Sequence, residues 1–214
     1  MRRAGFVIVA ILSLLVAGYG IVLYAFGNGG ERLPADMRAT FQAHAFGIKT
    51  HIFASALALL LGPFQFSSRL RARAPQLHRW MGRVYLGVGV LVGGAAGLAM
   101  SQFASGGWVA KLGFAGLAIA WLFTGWHAYS AARRRDFLAH RRWMVRNFAL
   151  AFAAVTLRIY LPPALILQAP FEVAYPLIAW ACWVPNLLLA EWLLRQSPRV
   201  VAKSVVQGGE GLAQ

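Results

Sequence analysis

Two histidines occupy matching positions in two similar segments of the sequence. The segments read LHRWMGRVY at 77–85 and AHRRWMVRNF at 139–148, and they contribute His78 and His140. A six-coordinate haem iron takes one neutral imidazole on each face of the macrocycle, so this pair is a candidate for axial ligation. The alternative is that both are interfacial residues beside arginines, in contact with phosphate. A further option adds His127 to make a metal site, although no carboxylate or thiolate stands at a useful spacing.

A second pair of polar residues falls inside long apolar runs. His51 shares a helical face with Ser55, Ala58, Gly62 and Gln65, and Arg158 shares one with Asn147, Ala151 and Ala154. Ionisable side chains at membrane depth are costly and usually mark functional sites. We expect His51 and Arg158 to point into the protein and to form a polar pocket for an anionic head group, a quinone carbonyl or a haem propionate. The alternative is that Arg158 reaches the interface and pairs with Glu172.

The elements that must position these residues are six apolar runs. They cover 4–26, 46–66, 81–103, 108–132, 143–161 and 173–194. Each run approaches or exceeds the roughly 20 residues that a helix needs to cross a bilayer. A hydrophobic fraction of 59% and a mean hydropathy of +0.59 are not those of a soluble protein. The sequence therefore predicts an all-α polytopic membrane protein with six transmembrane helices.

The ends of these runs carry their own signals. Pro162 and Pro163 are expected to end or kink the fifth helix. The first run is interpreted as an anchor, and the alternative is a cleaved signal peptide. A single transmembrane domain is predicted over 1–200, followed by a polar and disordered tail over 201–214.

The positive charge lies mainly on one side of the runs. Most of the 21 Lys and Arg residues fall in 1–3, 67–83, 133–146 and 195–214. By the positive-inside rule, both termini are expected in the cytoplasm, with the protein in the bacterial cytoplasmic (inner) membrane. The net charge of +15 is then explained by topology and by attraction to anionic lipid head groups at the inner face. It does not indicate nucleic acid as a partner.

The two similar segments each open a rising helix after a descending one. The second and third runs, and the fourth and fifth, are therefore predicted to be two parallel hairpin repeats that form a four-helix core. The first and last runs would pack outside this core. Gly89, Gly93 and Gly97 are spaced four apart and predict a close helix–helix contact.

Several reaction classes are disfavoured by the composition. There are only six Asp and Glu residues, with no carboxylate pair inside the runs, so a proton-relay pump or intramembrane aspartyl protease is not expected. Cys182 is the single cysteine, which excludes an intramolecular disulfide. No phosphate-binding loop or nucleophile elbow is present. The sequence assigns no catalytic residue and leaves open whether the protein is an enzyme.

Four motifs resemble a known family. GPFQF at 62–66, LHR with GRVY at 77–85, HRRWMVR at 140–146 and VTLR at 155–158 resemble the domain-of-unknown-function 2306 family, which consists of uncharacterised bacterial predicted membrane proteins. The resemblance runs from about Thr50 to about Pro163. It implies that His51, His78, His140 and Arg158 are site residues, whereas His127 is peculiar to this chain.

The four-helix core of that family is similar to the transmembrane cytochrome b and ferric reductase superfamily. This similarity implies haem b as a cofactor, with at most one bis-histidine haem because the outer layer offers only His51. Trp80, Trp121 and Trp143 would line the macrocycle. The favoured prediction is thus a b-type-haem-like redox or electron-transfer subunit in which His78 and His140 hold the iron.

The alternative is a non-enzymatic accessory or structural membrane protein that binds lipid or a partner membrane subunit. A small-solute transporter rests only on the polar face of the second run.

Overall fold

The computed structural model describes residues 3–27, 29–31 and 35–196, and this part of the chain is helical and contains no strand. The predicted tail over 201–214 lies outside the described residues. The helices are α1 (Arg3–Ala25), α2 (Ala35–Ala43), α3 (Ala45–Gln65), α4 (Ser68–Arg73), α5 (Pro75–Val84), a π-helical segment (Tyr85–Val92), α6 (Gly93–Ser101), α7 (Gly107–Arg133), α8 (Phe137–Ala151), α9 (Ala153–Ile166), α10 (Phe171–Ala181) and α11 (184–196).

Six helical stretches of this part of the chain are long and apolar enough to cross a membrane, which confirms the predicted fold class. We name them span 1 to span 6, in the order Ala4–Ala25, Ala45–Gln65, Pro75–Ser101, Gly107–Arg133, Phe137–Ile166 and Phe171–Gln196. Loops 67–74 and 134–136 lie at one end of the bundle, which we call the arginine-rich end. The start of span 2 and the end of span 5 lie at the arginine-poor end.

Spans 3 and 5 begin about one and a half turns before the predicted apolar runs. Pro75 occupies the first turn of α5, and the Asp136 carboxylate caps α8 by accepting a hydrogen bond from Ala139 N at 3.0 Å. These first turns are basic and amphipathic, so hydropathy alone does not detect them.

Span 5 continues past its prolines, which corrects the expectation that the helix ends there. α9 continues through Pro162 and Pro163 to Ile166. The α-helix is interrupted instead at Phe152, whose carbonyl accepts an i→i+3 hydrogen bond from Val155 N at 2.9 Å. Proline is tolerated in membrane helices where neighbouring groups satisfy the freed carbonyls.

Spans 2 to 5 form the predicted four-helix core. Span 2 packs on span 3, span 3 on span 4, span 4 on span 5, and span 5 closes the ring against span 2. Span 1 packs against spans 2 and 5, and span 6 packs against spans 4 and 5. Spans 3 and 5 are therefore diagonal, as the repeat predicts.

The glycine stripe of span 3 is the contact surface for span 2, which confirms its predicted role. A Cβ at Gly89 would lie 2.8 Å from the Ala58 Cβ, and one at Gly93 would lie 3.2 Å from the Ala54 Cβ. A Cβ at Gly97 would lie 2.7 Å from the Nδ1 atom of His51. Span 3 therefore packs directly against this face of span 2, and the solute-transporter alternative stays a prediction.

A buried polar network joins spans 3, 4 and 5 across the bundle. Tyr85 Oη donates to Asn147 Oδ1 at 2.8 Å, and both side chains are fully buried. Asn147 Nδ2 donates to Trp121 O at 2.8 Å and to Thr124 Oγ1 at 2.9 Å. Each polar atom of the Asn147 amide has a partner, so the network holds the diagonal spans together.

Candidate functional site

A cavity opens in the arginine-poor half of the bundle, where spans 1 to 6 and α2 all contribute to its wall. Its volume is about 370 Å³, within the range of about 300–1,000 Å³ typical of small-molecule sites. Both His51 and Arg158 line it. The sequence predicts that these two side chains point into the bundle, and the structure brings them to one cavity.

Arg158 supplies the positive charge of this cavity. Its side chain is partly buried on α9, and Nη1 donates to the Ala154 carbonyl at 2.9 Å. Among the described residues, no ion pair to Arg158 is formed, and the suggested partner Glu172 is exposed. Among the described residues, no Asp or Glu lines the cavity. The guanidinium therefore keeps further N–H donors for a group outside the described residues.

His51 is held in a defined orientation against span 3. Its Nδ1 atom lies 2.8 Å from the carbonyl oxygen of Gly93 and 3.5 Å from Ser55 Oγ. Because a carbonyl only accepts, Nδ1 must carry the proton of that bond, and in the neutral ring Nε2 is left as an acceptor. The ring can lie there because Gly97 has no side chain.

The remainder of the wall is mainly apolar. It reaches inward to Leu117, Trp121, Leu150 and Cys182, away from the polar pair. At the arginine-poor end, Met37, Thr40 and Phe41 of α2 complete the wall. The Phe41 ring packs on the Tyr24 ring with 5.8 Å between centroids. The cavity thus has one charged end and a long apolar side, which matches the shape of an amphiphile.

The other predicted pair lies at the opposite end of the bundle. His140 is half-buried, and its Nδ1 lies 2.8 Å from the Ala128 carbonyl. His78 Nδ1 is buried and has no hydrogen-bond partner among the described residues. The two imidazoles are near enough to interact electrostatically. Neither lines the cavity described above, so the four predicted site residues form two separate pairs.

A comparison with protein families gives one match. The family described as predicted membrane protein (DUF2306) matches residues 48–194. The chain belongs to this family. No curated protein matches the chain. No solved structure matches it. The similarity to cytochrome b and ferric reductase is therefore not supported, and DUF2306 membership by itself assigns no activity.

The DUF2306 match extends from span 2 to span 6 and so includes the predicted site residues at both ends of the bundle. The matched residues contain His51 and Arg158 as well as His78 and His140. Span 1 and α2, which complete the cavity through Tyr24 and Phe41, lie outside it.

A haem held by His78 and His140 in this DUF2306 protein would need side chains around it that line the macrocycle. The three tryptophans expected to do so do not come together around these two histidines. Trp80 is 60% exposed, Trp121 lines the cavity in the other half, and Trp143 stacks on His127 with 4.6 Å between centroids. The tryptophan positions thus give the haem hypothesis no support, and it stays a prediction.

The three-histidine metal option is not realised. No group of three or more His, Cys, Asp or Glu side chains able to hold a metal ion occurs in the described part of the chain. His127 instead packs between Phe123 and Trp143 on the outside of the span 4–span 5 hairpin. A metal held by His78 and His140 alone stays a prediction.

An ion pair between spans 5 and 6 was missed by the sequence analysis. Arg146 Nε donates to Glu191 Oε1, and Arg146 Nη2 donates to Oε2 at 3.0 Å. The guanidinium also lies 4.7 Å from the centre of the Trp143 ring. The signal was present, because a carboxylate inside the sixth apolar run requires a basic partner.

Proposed function

We propose that this protein binds an amphiphilic ligand with an acidic head group in the cavity at the arginine-poor half of the bundle. Arg158 pairs with the acid, His51 Nε2 accepts a hydrogen bond from a hydroxyl of the ligand, and the apolar wall surrounds its chain. The protein then acts as a non-enzymatic binding component of the membrane.

One observation supports this function above the others. Arg158 belongs to a membrane-spanning helix and lines the cavity. No carboxylate of the described residues pairs with its guanidinium. Leaving a charge uncompensated in a low-dielectric environment costs several kcal/mol. A ligand carboxylate or phosphate removes that cost and makes charge-assisted bonds. A quinone carbonyl is neutral and would leave the charge uncompensated, so we favour the acid.

The test uses two probes with the same tail. Purified protein in a neutral detergent is titrated with dansyl-undecanoic acid and with the corresponding dansyl-undecanol, and the binding is followed by dansyl fluorescence. We expect the acid to bind at least tenfold more tightly, because a hydrogen bond to a charged group contributes about 1.5–3 kcal/mol.

Arg158→Gln should remove this preference, while the matched control Lys49→Gln should keep it. Lys49 is exposed near the start of span 2 and is not part of the cavity wall. The two variants lose the same charge, so a non-specific effect of net charge would appear in both. Equal binding of acid and alcohol by the wild type would refute the proposal.

The redox function is a second candidate, carried by a single contact. The bond from His140 Nδ1 to the Ala128 carbonyl orients that imidazole and leaves Nε2 as its free nitrogen, as in many metal-binding histidines. When bound, a haem would supply one-electron chemistry. A reduced-minus-oxidised spectrum after haem-supplemented expression decides this: no Soret band means no haem.

A further inference from the structure

A cluster of unsatisfied polar atoms lies at the arginine-rich end, far from the cavity. Gln65, the last residue of α3, is 7% exposed, and its Nε2 atom has no hydrogen-bond partner among the described residues. His78 Nδ1 on α5 is in the same situation. A buried polar atom without a partner costs about 1–3 kcal/mol. Two such atoms at the same end of the bundle indicate a ligand group outside the described residues.

Contacts around α5 place these atoms on one surface. A Cβ at Gly82 would lie 3.1 Å from Gln65 Oε1, and His78 lies one helical turn before Gly82, on the same side of α5. Arg71 reaches the same surface, because its Nη1 donates to the backbone carbonyl of Gln65 at 3.3 Å and its charge acts on His78.

The charge at this surface is positive and has no acidic complement in the described chain. His140 contributes a further imidazole within electrostatic range of His78. Asp136 is exposed and caps α8, and Glu191 is paired with Arg146. The Gln65 amide and the Arg71 guanidinium donate, and His78 Nδ1 also donates when it carries the ring proton, so the complementary ligand is an oxyanion with several acceptor oxygens.

We propose that Gln65, Arg71 and His78 bind a phosphate group at the arginine-rich end. The source that the surroundings favour is a lipid head group. Leu77 and Trp80 of the same helix are 48% and 60% exposed, so α5 presents apolar side chains beside the cluster. A basic helix with exposed leucine and tryptophan at the end of a span is suited to the level of lipid phosphates.

The experiment measures lipid retention by native mass spectrometry of the full chain in detergent. Phosphatidylglycerol, inorganic phosphate and diacylglycerol are added in parallel to the wild type and to three variants. Gln65→Leu removes the unpaired amide with little change in volume, and Arg71→Gln removes the guanidinium. Arg73→Gln is the matched control, since Arg73 lies on the same short helix and is exposed.

We expect Gln65→Leu and Arg71→Gln each to weaken phosphatidylglycerol retention at least tenfold, with Arg73→Gln unchanged. Gln65→Leu should also keep or raise the thermal midpoint, because it removes an unsatisfied group; a purely structural glutamine would lower it. Competition by millimolar inorganic phosphate would identify free phosphate as the source, and its absence identifies the lipid. Retention of diacylglycerol as strong as that of phosphatidylglycerol, or equal loss in Arg73→Gln, overturns the proposal.

Discussion

Substituting Asn147 by leucine tests whether the buried network holds the diagonal spans together. The amide makes three hydrogen bonds to spans 3 and 4, with lengths of 2.8–2.9 Å. Leucine has a similar volume and none of these bonds, so the change isolates the polar contribution. It also leaves the Tyr85 hydroxyl, which is fully buried, without its acceptor.

The expected loss follows from these contacts. Interhelical hydrogen bonds in a membrane average about 0.6 kcal/mol each, and an orphaned buried hydroxyl costs about 1–3 kcal/mol. We therefore expect Asn147→Leu to lower the free energy of unfolding by about 3–4 kcal/mol. Adding Tyr85→Phe should recover about 1–2 kcal/mol, because it removes the orphaned group.

The assay is equilibrium unfolding in mixed micelles with a rising fraction of dodecyl sulfate, followed by tryptophan fluorescence. Both single variants and the double variant are measured, so that the coupling between Tyr85 and Asn147 is obtained from a double-mutant cycle. The account of the core is wrong if Asn147→Leu stays within about 1 kcal/mol of the wild type, or if Tyr85→Phe adds to its loss instead of relieving it.

Three further outcomes are expected. Gly89→Ala should lower the free energy of unfolding by about 1–3 kcal/mol, because it overpacks the span 2–span 3 contact. The control Gly87→Ala, with nothing within 4 Å of the new Cβ, should be neutral or stabilising. Equal effects of the two variants in the same micelle assay would contradict the contact. Gly97→Ala should displace the His51 ring and weaken the binding of a hydroxyl-bearing dansyl acid about 3–10-fold through one lost hydrogen bond, with little loss of protein stability. Unchanged affinity would show that the orientation of the His51 ring does not contribute to binding. Glu191→Gln should cost less than about 1 kcal/mol, because both partners of its ion pair are partly exposed; a loss several times larger in the micelle assay would mean that the pair is effectively desolvated.

The sequence predicts the fold well because each span must satisfy its own backbone hydrogen bonds within an apolar helix. Hydropathy therefore finds the six spans, and residue spacing finds the glycine stripe of span 3. It misplaces the starts of spans 3 and 5, where Arg79 and Arg141 lower the hydropathy of turns that are still helical. It also expects the fifth helix to end or kink at Pro162 and Pro163, whereas α9 continues to Ile166 and the structure interrupts span 5 at Phe152.

The site is only partly predictable for a related reason. His51 and Arg158 are ionisable groups inside apolar runs, and each shares a helix face with other polar or small residues, so their direction follows from the pattern. The bonds of Asn147 to Tyr85, and the surface shared by Gln65 and His78, depend on how each helix is rotated about its axis. One sequence does not contain that information, because rotation is set by contacts between spans.

The most direct test of the central claim is to identify what the purified protein carries in its cavity. Native mass spectrometry of wild type, Arg158→Gln and Lys49→Gln, each released from the same detergent, measures the mass and occupancy of a bound small molecule. We predict one acidic amphiphile on the wild type and on Lys49→Gln, and at least tenfold lower occupancy on Arg158→Gln. The same occupancy in all three proteins, or a bound molecule without an acidic group, would contradict the account.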